Sequence, residues 1–189
     1  MTGATAISTV NGTSDTVVKT EYFDLAGRKV LLPANGIYVK SQQMKNGQTV
    51  TTAESCTGGL VAGRLVNVAG VSEVFEEGFV TYSDKAKRKE LNVSKATLKK
   101  YTAVSRQTAR EMAIGAAFAA NADVSIATTG YAGPESAPDA PVGLVFIGCF
   151  MKDRVTVEEH HFTGNRNEIR EQAVNAALDL LRRVIRDNV

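Results

Sequence analysis

Residues 51–59 read TTAESCTGG, and this stretch joins a predicted strand to a predicted helix. β-Branched residues predict a strand over residues 49–53, and the apolar spacing that follows predicts a helix over residues 58–68. The chain therefore turns from a strand directly into a helix at Ser55. The first turn of a helix has free backbone N–H groups and a partial positive charge, so a hydroxyl held there lies beside donors suited to an anion.

The rest of the chain alternates strand and helix patterns. Ser94, Ser105 and Asn165 are predicted helix N-caps, and Glu168 completes a capping box with Asn165. This alternation predicts an α/β layered fold. The remaining predicted strands cover residues 78–82, 124–128, 142–150 and 154–162, with a charged helix over residues 84–91.

Composition excludes several classes of protein. Of the 189 residues, 43% are hydrophobic and 22% charged, which is typical of a globular domain and excludes wholesale disorder. The longest nearly apolar run, residues 142–151, is far shorter than the roughly 18 residues of a membrane span. The first ten residues lack the pattern of a secretory signal. We therefore expect a cytoplasmic protein without a membrane partner.

Charge and metal-ligating residues also limit the function. The net charge of +2 gives no general attraction to nucleic acid. Two cysteines, Cys56 and Cys149, and two histidines, His160 and His161, are too few for a zinc site of ordinary spacing. We expect no metal and no other cofactor.

The N-terminal quarter differs from the rest. Residues 1–20 are rich in Thr, Ser, Asn and Gly and lack aromatic residues, which predicts a loose tail. Residues 19–50 contain short β-type runs separated by glycine turns, which predicts a β-hairpin. The sequence thus divides into an N-terminal segment, residues 1–48, and a domain at residues 49–189.

Ser55 is the candidate nucleophile, because the strand-to-helix turn exposes its hydroxyl. Gly58 and Gly59 leave the backbone open, so their amides are candidates for binding an oxyanion or a phosphate. The same residues also fit an ordinary Thr-capped helix with a glycine-rich entry.

A serine nucleophile needs a base, and Lys87 is the best candidate. His160 and His161 are adjacent in a predicted strand and point to opposite faces. Helical spacing places Lys87 on the same side as Leu91, toward the core. Burial lowers the pKa of a lysine, which a proton acceptor near neutral pH requires. The alternative is a lysine that extends from a solvated helix.

Six motifs together closely resemble the CinA C-terminal domain family, whose best-known activity is nicotinamide-nucleotide amidase, or PncC. That activity converts nicotinamide mononucleotide to nicotinate mononucleotide and ammonia without a metal. The resemblance implies a three-layer α/β/α sandwich with a mixed, mostly parallel sheet, and a homodimer. The motifs are TAESCTGG at residues 52–59, GFVTYS at 78–83 with Lys87, AVS at 103–105, TGYAGP at 129–134, PVG at 141–143 and FTGNR at 162–166.

The resemblance also implies roles for individual residues. Ser55 corresponds to the nucleophile and Lys87 to its base, with Tyr82 assisting proton transfer. Cys56, beside the nucleophile, has the simpler explanation of a small buried residue. The substrate-binding positions that the resemblance and the turn together imply are Thr57, Gly58, Gly59, Thr129 and Arg166, with Arg166 at the phosphate.

Two alternatives remain open. Residues 135–140 depart from the family pattern, with Ala140 where lysine is common, which permits an amidase for another amide. The basic residues at positions 85–100 permit a nucleic-acid-binding module. Only Tyr101 adjoins them as an aromatic residue, so a solvated helix face is favoured and a nucleic-acid partner is not expected.

Overall fold

The computed structural model describes residues 48–188 and three short strands nearer the N-terminus. Those strands are β1 (Thr20–Phe23), β2 (Lys29–Val30) and β3 (Val39–Gln42), which pair antiparallel in the order β2-β1-β3. The loose tail that the sequence predicts for residues 1–20 lies outside the described residues, apart from Thr20.

The predicted alternation of strands and helices is confirmed over residues 48–188. A 3₁₀ turn, Val71–Glu73, follows the first helix. None of the described helices is long and apolar enough to cross a membrane. The elements are β4 (Val50–Glu54), α1 (Leu60–Val66), β5 (Gly78–Val80), α2 (Asp84–Leu91), α3 (Lys95–Tyr101), α4 (Arg106–Ala119), β6 (Val124–Gly130), β7 (Leu144–Met151), β8 (Arg154–His161) and α5 (Arg166–Asn188).

The central sheet has five strands in the order β5-β4-β6-β7-β8. Strand β4 pairs parallel with β5 and β6, while β7 pairs antiparallel with β6 and β8. Only β7 is reversed, so the other four strands run in one direction. The sheet is therefore mixed, as expected, and the carboxyl ends of β4, β5 and β6 lie at the same edge.

Helices cover both faces of this sheet. Side chains alternate along its strands, so neighbouring residues of one strand pack against helices on opposite faces. In β6, Ile126 packs in the core cluster with Ile169 and Leu180 of α5. Its neighbour Ala127 packs in the other cluster, with Met112 and Ala116 of α4. Helix α2 lies against α4. Helices α5 and α2 are thus on opposite sides of the sheet, which gives the three layers.

Polar N-caps begin the helices as the sequence predicts. The hydroxyls of Ser94 and Ser105 accept hydrogen bonds from the first turns of α3 and α4. Asn165 Oδ1 accepts from the Glu168 amide at 3.2 Å, and Glu168 Oε2 accepts from the Asn165 amide at 2.7 Å. This reciprocal pair is the predicted capping box. Ser83 caps α2 in the same way.

Gly115 controls how closely α2 approaches α4. A Cβ atom at this position would overlap the carbonyl oxygen of Leu91, the last residue of α2. We expect Gly115→Ala to lower the free energy of unfolding by about 1–3 kcal/mol, the usual cost of overpacking. Urea denaturation measures this change.

Gly63→Ala is the matched control for Gly115→Ala. Gly63 lies in α1, where no atom is near an added Cβ. We expect it to leave the stability unchanged or to raise it by up to about 1 kcal/mol, because alanine favours helix. Equal stability of the two variants would contradict the overpacking explanation.

Candidate active site

The candidate site lies at the carboxyl ends of the parallel strands. Ser55 directly follows β4, and its amide donates to the Thr128 carbonyl of β6 at 3.0 Å. On the other side, the Thr81 amide, just after β5, donates to the Glu54 carbonyl at 2.8 Å. The turn is thus held between two neighbouring strands, where open α/β sheets bind ligands.

Lys87 reaches this turn from α2. Its Nζ donates to Ser55 Oγ at 3.0 Å and to the Thr81 carbonyl oxygen at 2.8 Å. The lysine is only 1% exposed and Ser55 is 8% exposed. The predicted inward orientation of Lys87 is therefore confirmed. The neighbouring basic residues Lys85 and Arg88 are exposed.

The surroundings of Lys87 favour its neutral form. Burial lowers the pKa of this ammonium below its usual value of 10.5, and Asp84 and Cys56 oppose the shift only in part. Both hydrogen-bond partners of Nζ are neutral oxygens. A neutral amine 3.0 Å from a serine hydroxyl can accept its proton, which is the arrangement that activates a serine nucleophile.

Cys56 is a buried thiol beside the nucleophile. It belongs to the core cluster on the α5 side of the sheet. Burial raises its pKa to about 11, so the thiol remains protonated at neutral pH. These surroundings fit a small core residue rather than a reacting group.

Glu54 organises the start of α1, a role that the sequence analysis did not identify. The side chain is fully buried. Oε2 accepts from the Gly59 and Val61 amides, each at 3.0 Å, and Oε1 accepts from the Ala62 amide at 2.8 Å. The Thr57 hydroxyl also donates to Oε2, at 2.6 Å. One carboxylate thus satisfies the amides that a bound anion would otherwise use.

This arrangement changes the expectation for the glycine-rich turn. The Gly59 amide is bound to Glu54, and the Gly58 amide donates to the Ser55 carbonyl at 3.1 Å. The Thr57 side chain is fully buried, with its hydroxyl 2.7 Å from the Thr128 hydroxyl. The Gly59 amide and the Thr57 hydroxyl are thus bound by the buried Glu54 carboxylate, and the Gly58 amide is bound by the Ser55 carbonyl.

The Cys56 and Thr57 amides are the other two backbone donors of the turn. Within residues 48–188, no backbone or carboxylate oxygen accepts a hydrogen bond from the Cys56 or Thr57 N–H, and both amides interact with the Cys56 thiol, where they partly oppose the rise in its pKa. The corresponding carbonyls are bound by Arg170 of α5, whose Nε donates to Cys56 O at 3.1 Å and whose Nη2 donates to Thr57 O at 2.9 Å. Arg170 was also missed by the sequence analysis.

Arg166, Tyr82 and Thr129 are the remaining predicted site residues. Arg166 Nη2 donates to the Tyr82 hydroxyl at 3.0 Å, and Nη1 donates to the Gly133 carbonyl at 2.5 Å. Tyr82 is 61% exposed, and its hydroxyl contacts Arg166 rather than Ser55 or Lys87. Thr129 is buried and donates to the Ala103 carbonyl at 2.7 Å. Arg166 and Tyr82 are brought together, whereas the Thr129 hydroxyl is bound within the protein.

Sequence signals for the two missed residues exist but are weak. An acidic residue near a helix N-terminus is favoured by the helix dipole, which fits Glu54. Arg170 lies one helical turn after Arg166, so both face the same side of α5. Neither signal identifies the backbone groups that these side chains bind.

Comparison with known families gives independent information. The family model described as CinA C-terminal domain matches residues 37–185. The chain belongs to the CinA C-terminal domain family. The family resemblance of the six motifs is therefore confirmed.

Relatives of this CinA-family chain carry competence-related names. A putative competence-damage inducible protein of Clostridium beijerinckii is 56% identical over 138 residues, which is 72% of this chain and 34% of the relative. A CinA-like protein of Kosmotoga olearia is 51% identical over 142 residues, with coverage of 75% and 34%. The chain thus matches about a third of the length of these relatives.

Solved CinA structures have the same fold. A CinA superfamily protein of Escherichia coli has a TM-score of 0.72 and 41% identity, covering 74% of this chain and 81% of that one. The competence/damage inducible protein CihA of Agrobacterium tumefaciens has a TM-score of 0.69 and 46% identity, with coverage of 71% and 84%. The α/β fold class is confirmed by these structures.

Proposed function

We propose that this CinA-family domain hydrolyses the carboxamide of nicotinamide mononucleotide, giving nicotinate mononucleotide and ammonia. The observation that carries the proposal is the contact between Lys87 Nζ and Ser55 Oγ at 3.0 Å, with the lysine buried among neutral partners. A buried amine beside a serine hydroxyl is suited to nucleophilic acyl transfer. The family's amidase activity supports the same reaction.

In the first half of the proposed reaction, Ser55 attacks the carboxamide carbon. Oγ forms the new C–O bond while its proton passes to the neutral Lys87 amine. The tetrahedral intermediate then breaks its C–N bond, and Lys87 returns the proton to the departing nitrogen. Ammonia leaves, and the nicotinoyl group stays on Ser55 as an ester.

In the second half, water hydrolyses this ester. Lys87 accepts a proton from the attacking water, and the C–O bond to Ser55 breaks. The proton then returns to Oγ, which restores the free serine and releases the acid. In both halves, the amides of Cys56 and Thr57 are the available donors for the oxyanion, since the Gly58 and Gly59 amides are bound elsewhere.

The mouth of the site suits an aromatic ring with an anionic group. Among the described residues, Arg166 binds the Tyr82 hydroxyl and the Gly133 carbonyl and pairs with no carboxylate. Its positive charge is thus available to a 5′-phosphate. Tyr82 contacts Arg166 directly and Val142 lies beside Gly133, and both exposed side chains offer apolar surface to a pyridine ring.

Ammonia release from a panel of amides tests the proposal. The panel contains nicotinamide mononucleotide, nicotinamide riboside, nicotinamide and glutamine. We expect kcat/KM for the mononucleotide to exceed that for the riboside by about tenfold or more, because a charge-assisted hydrogen bond contributes about 1.5–3 kcal/mol. Arg166→Gln is expected to lower this preference while leaving the riboside rate little changed.

The panel also separates the alternatives. Preference for glutamine would indicate an amidase for a different amide. Absence of ammonia from every amide would refute the hydrolase proposal. Salt-dependent DNA binding by such an inactive protein would instead favour a binding module.

A further inference from the structure

Arg170 holds the turn that follows Ser55 from the α5 side of the sheet. Its guanidinium bridges two consecutive carbonyls, Cys56 O and Thr57 O, at 3.1 and 2.9 Å. An added Cβ on Gly58 would lie 3.5 Å from Arg170 Nη2, so the guanidinium also packs against the open side of this glycine. The contacts join positions more than 110 residues apart in the chain.

These contacts fix the direction of the Thr57 N–H. The Cys56 carbonyl and the Thr57 N–H belong to one peptide unit, and in a trans peptide the two point in opposite directions. Because the carbonyl faces Arg170 on α5, the N–H faces away from α5. Lys87 enters from α2, on the opposite side of the sheet. The Thr57 N–H therefore points away from the Arg170 guanidinium.

Most other backbone N–H groups near Ser55 already have hydrogen-bond acceptors. Glu54 binds the amides of Gly59, Val61 and Ala62, and the Gly58 amide is bound to Ser55 O. Glu54 thus binds backbone amides at the start of α1, while Arg170 binds the Cys56 and Thr57 carbonyls.

We propose that Arg170 is the positioning residue of the oxyanion site: by binding the Cys56 and Thr57 carbonyls it orients and polarises the peptide whose N–H binds the oxyanion formed at Ser55. A cation on the carbonyl oxygen strengthens the N–H of the same peptide as a donor. Preorganised donors of this kind act mainly on the transition state. This inference rests on the proposed reaction at Ser55.

Substitution of Arg170 tests the inference through kinetics. For Arg170→Gln we expect kcat to fall about 10- to 100-fold, while KM changes less than about threefold, because the contact acts on the transition state. Arg170→Lys keeps the charge but cannot bridge two carbonyls, so we expect an intermediate loss. Arg182→Gln, on the exposed side of α5, is the matched control and should retain wild-type kinetics.

A boronic acid separates positioning from general structural damage. Pyridine-3-boronic acid accepts the Ser55 Oγ electron pair at boron, the hydroxyl proton passes to Lys87, and no bond to boron breaks. The resulting tetrahedral anion resembles the proposed intermediate. We expect its inhibition constant to rise in Arg170→Gln by about the same factor as kcat falls, with the melting temperature of Arg170→Lys close to that of the wild type.

The boronate affinity and the kinetics of the Arg170 variants distinguish a positioning role from a purely structural one. Unchanged boronate affinity in both Arg170 variants would overturn the inference, and so would a fall in kcat matched by an equal rise in KM. Direct titration with the boronic acid does not require an amide substrate. If wild-type protein binds it, Ser55→Ala does not, and no amide is hydrolysed, the proposed function fails while the Arg170 variants still test the oxyanion site.

Discussion

Ser55→Ala is expected to reduce kcat for amide hydrolysis by about 10⁴- to 10⁶-fold, the range found when one member of a catalytic serine triad is removed. The physical reason is that no acyl-enzyme forms without Oγ, so the reaction loses its two-step path. The measurement is ammonia release from nicotinamide mononucleotide. Mass spectrometry of wild-type protein quenched during turnover should also detect the nicotinoyl adduct, and the variant should lack it.

The fold of Ser55→Ala should be intact. The variant loses one hydrogen bond, from Lys87, which contributes about 1 kcal/mol to stability. Ser72→Ala, in the exposed 3₁₀ turn, is the matched control and should hydrolyse at the wild-type rate. Activity of Ser55→Ala within tenfold of wild type would exclude Ser55 as the nucleophile.

Lys87→Met is expected to lower kcat by about 10³-fold or more, because it removes the group that accepts and returns the proton. Methionine retains much of the apolar stem and avoids burying an ionisable amine. The two lost hydrogen bonds cost about 1 kcal/mol each. This loss is offset at neutral pH because the variant no longer buries an amine whose pKa is lowered by desolvation, so we expect a folded protein of similar stability. Lys85→Met, exposed on the same helix, is the control and should keep full activity.

The pH dependence follows from the lowered pKa of Lys87. Catalysis needs the neutral amine, so kcat/KM should rise with pH and level off below pH 10.5. Between the lowered pKa and 10.5, the unfolded chain holds a proton at Lys87 that the folded protein lacks. The free energy of unfolding therefore gains a component that rises with pH over this window.

Urea unfolding of wild type and Lys87→Met at several pH values measures this component. The wild-type curve should rise relative to the variant as pH increases through the window. A difference that is independent of pH would show that Lys87 has an ordinary pKa in the folded protein.

Much of the fold follows from local sequence patterns. The apolar strand residues, the N-caps at Ser94 and Ser105 and the capping box at Asn165 act through neighbours within a few positions, so periodicity and residue type suffice to predict them. The inward orientation of Lys87 was predictable for the same reason, because helical spacing places it on the side of Leu91.

The details of the site depend on contacts between distant segments. The sequence predicted open amides at Gly58 and Gly59, yet the buried Glu54 carboxylate binds the Gly59 amide and aligns the Thr57 hydroxyl. The family resemblance assigned Tyr82 to proton transfer, and only the folded structure shows that its hydroxyl contacts Arg166. A sequence pattern names the groups that could meet, whereas their positions depend on how the strands and helices pack.

Local sequence patterns were enough to predict that a serine follows a buried strand at the start of a helix and that one lysine of a basic helix faces inward. The contact of Lys87 with Ser55, and the binding of the turn's carbonyls by Arg170 more than 110 residues away, depend on how the folded elements pack. The two kinds of contact differ in how far apart their partners lie along the chain. Periodicity and capping act between residues within one or two helical turns of each other. The contacts of the site form only after the sheet has aligned the ends of β4, β5 and β6 and the helices have packed on its two faces.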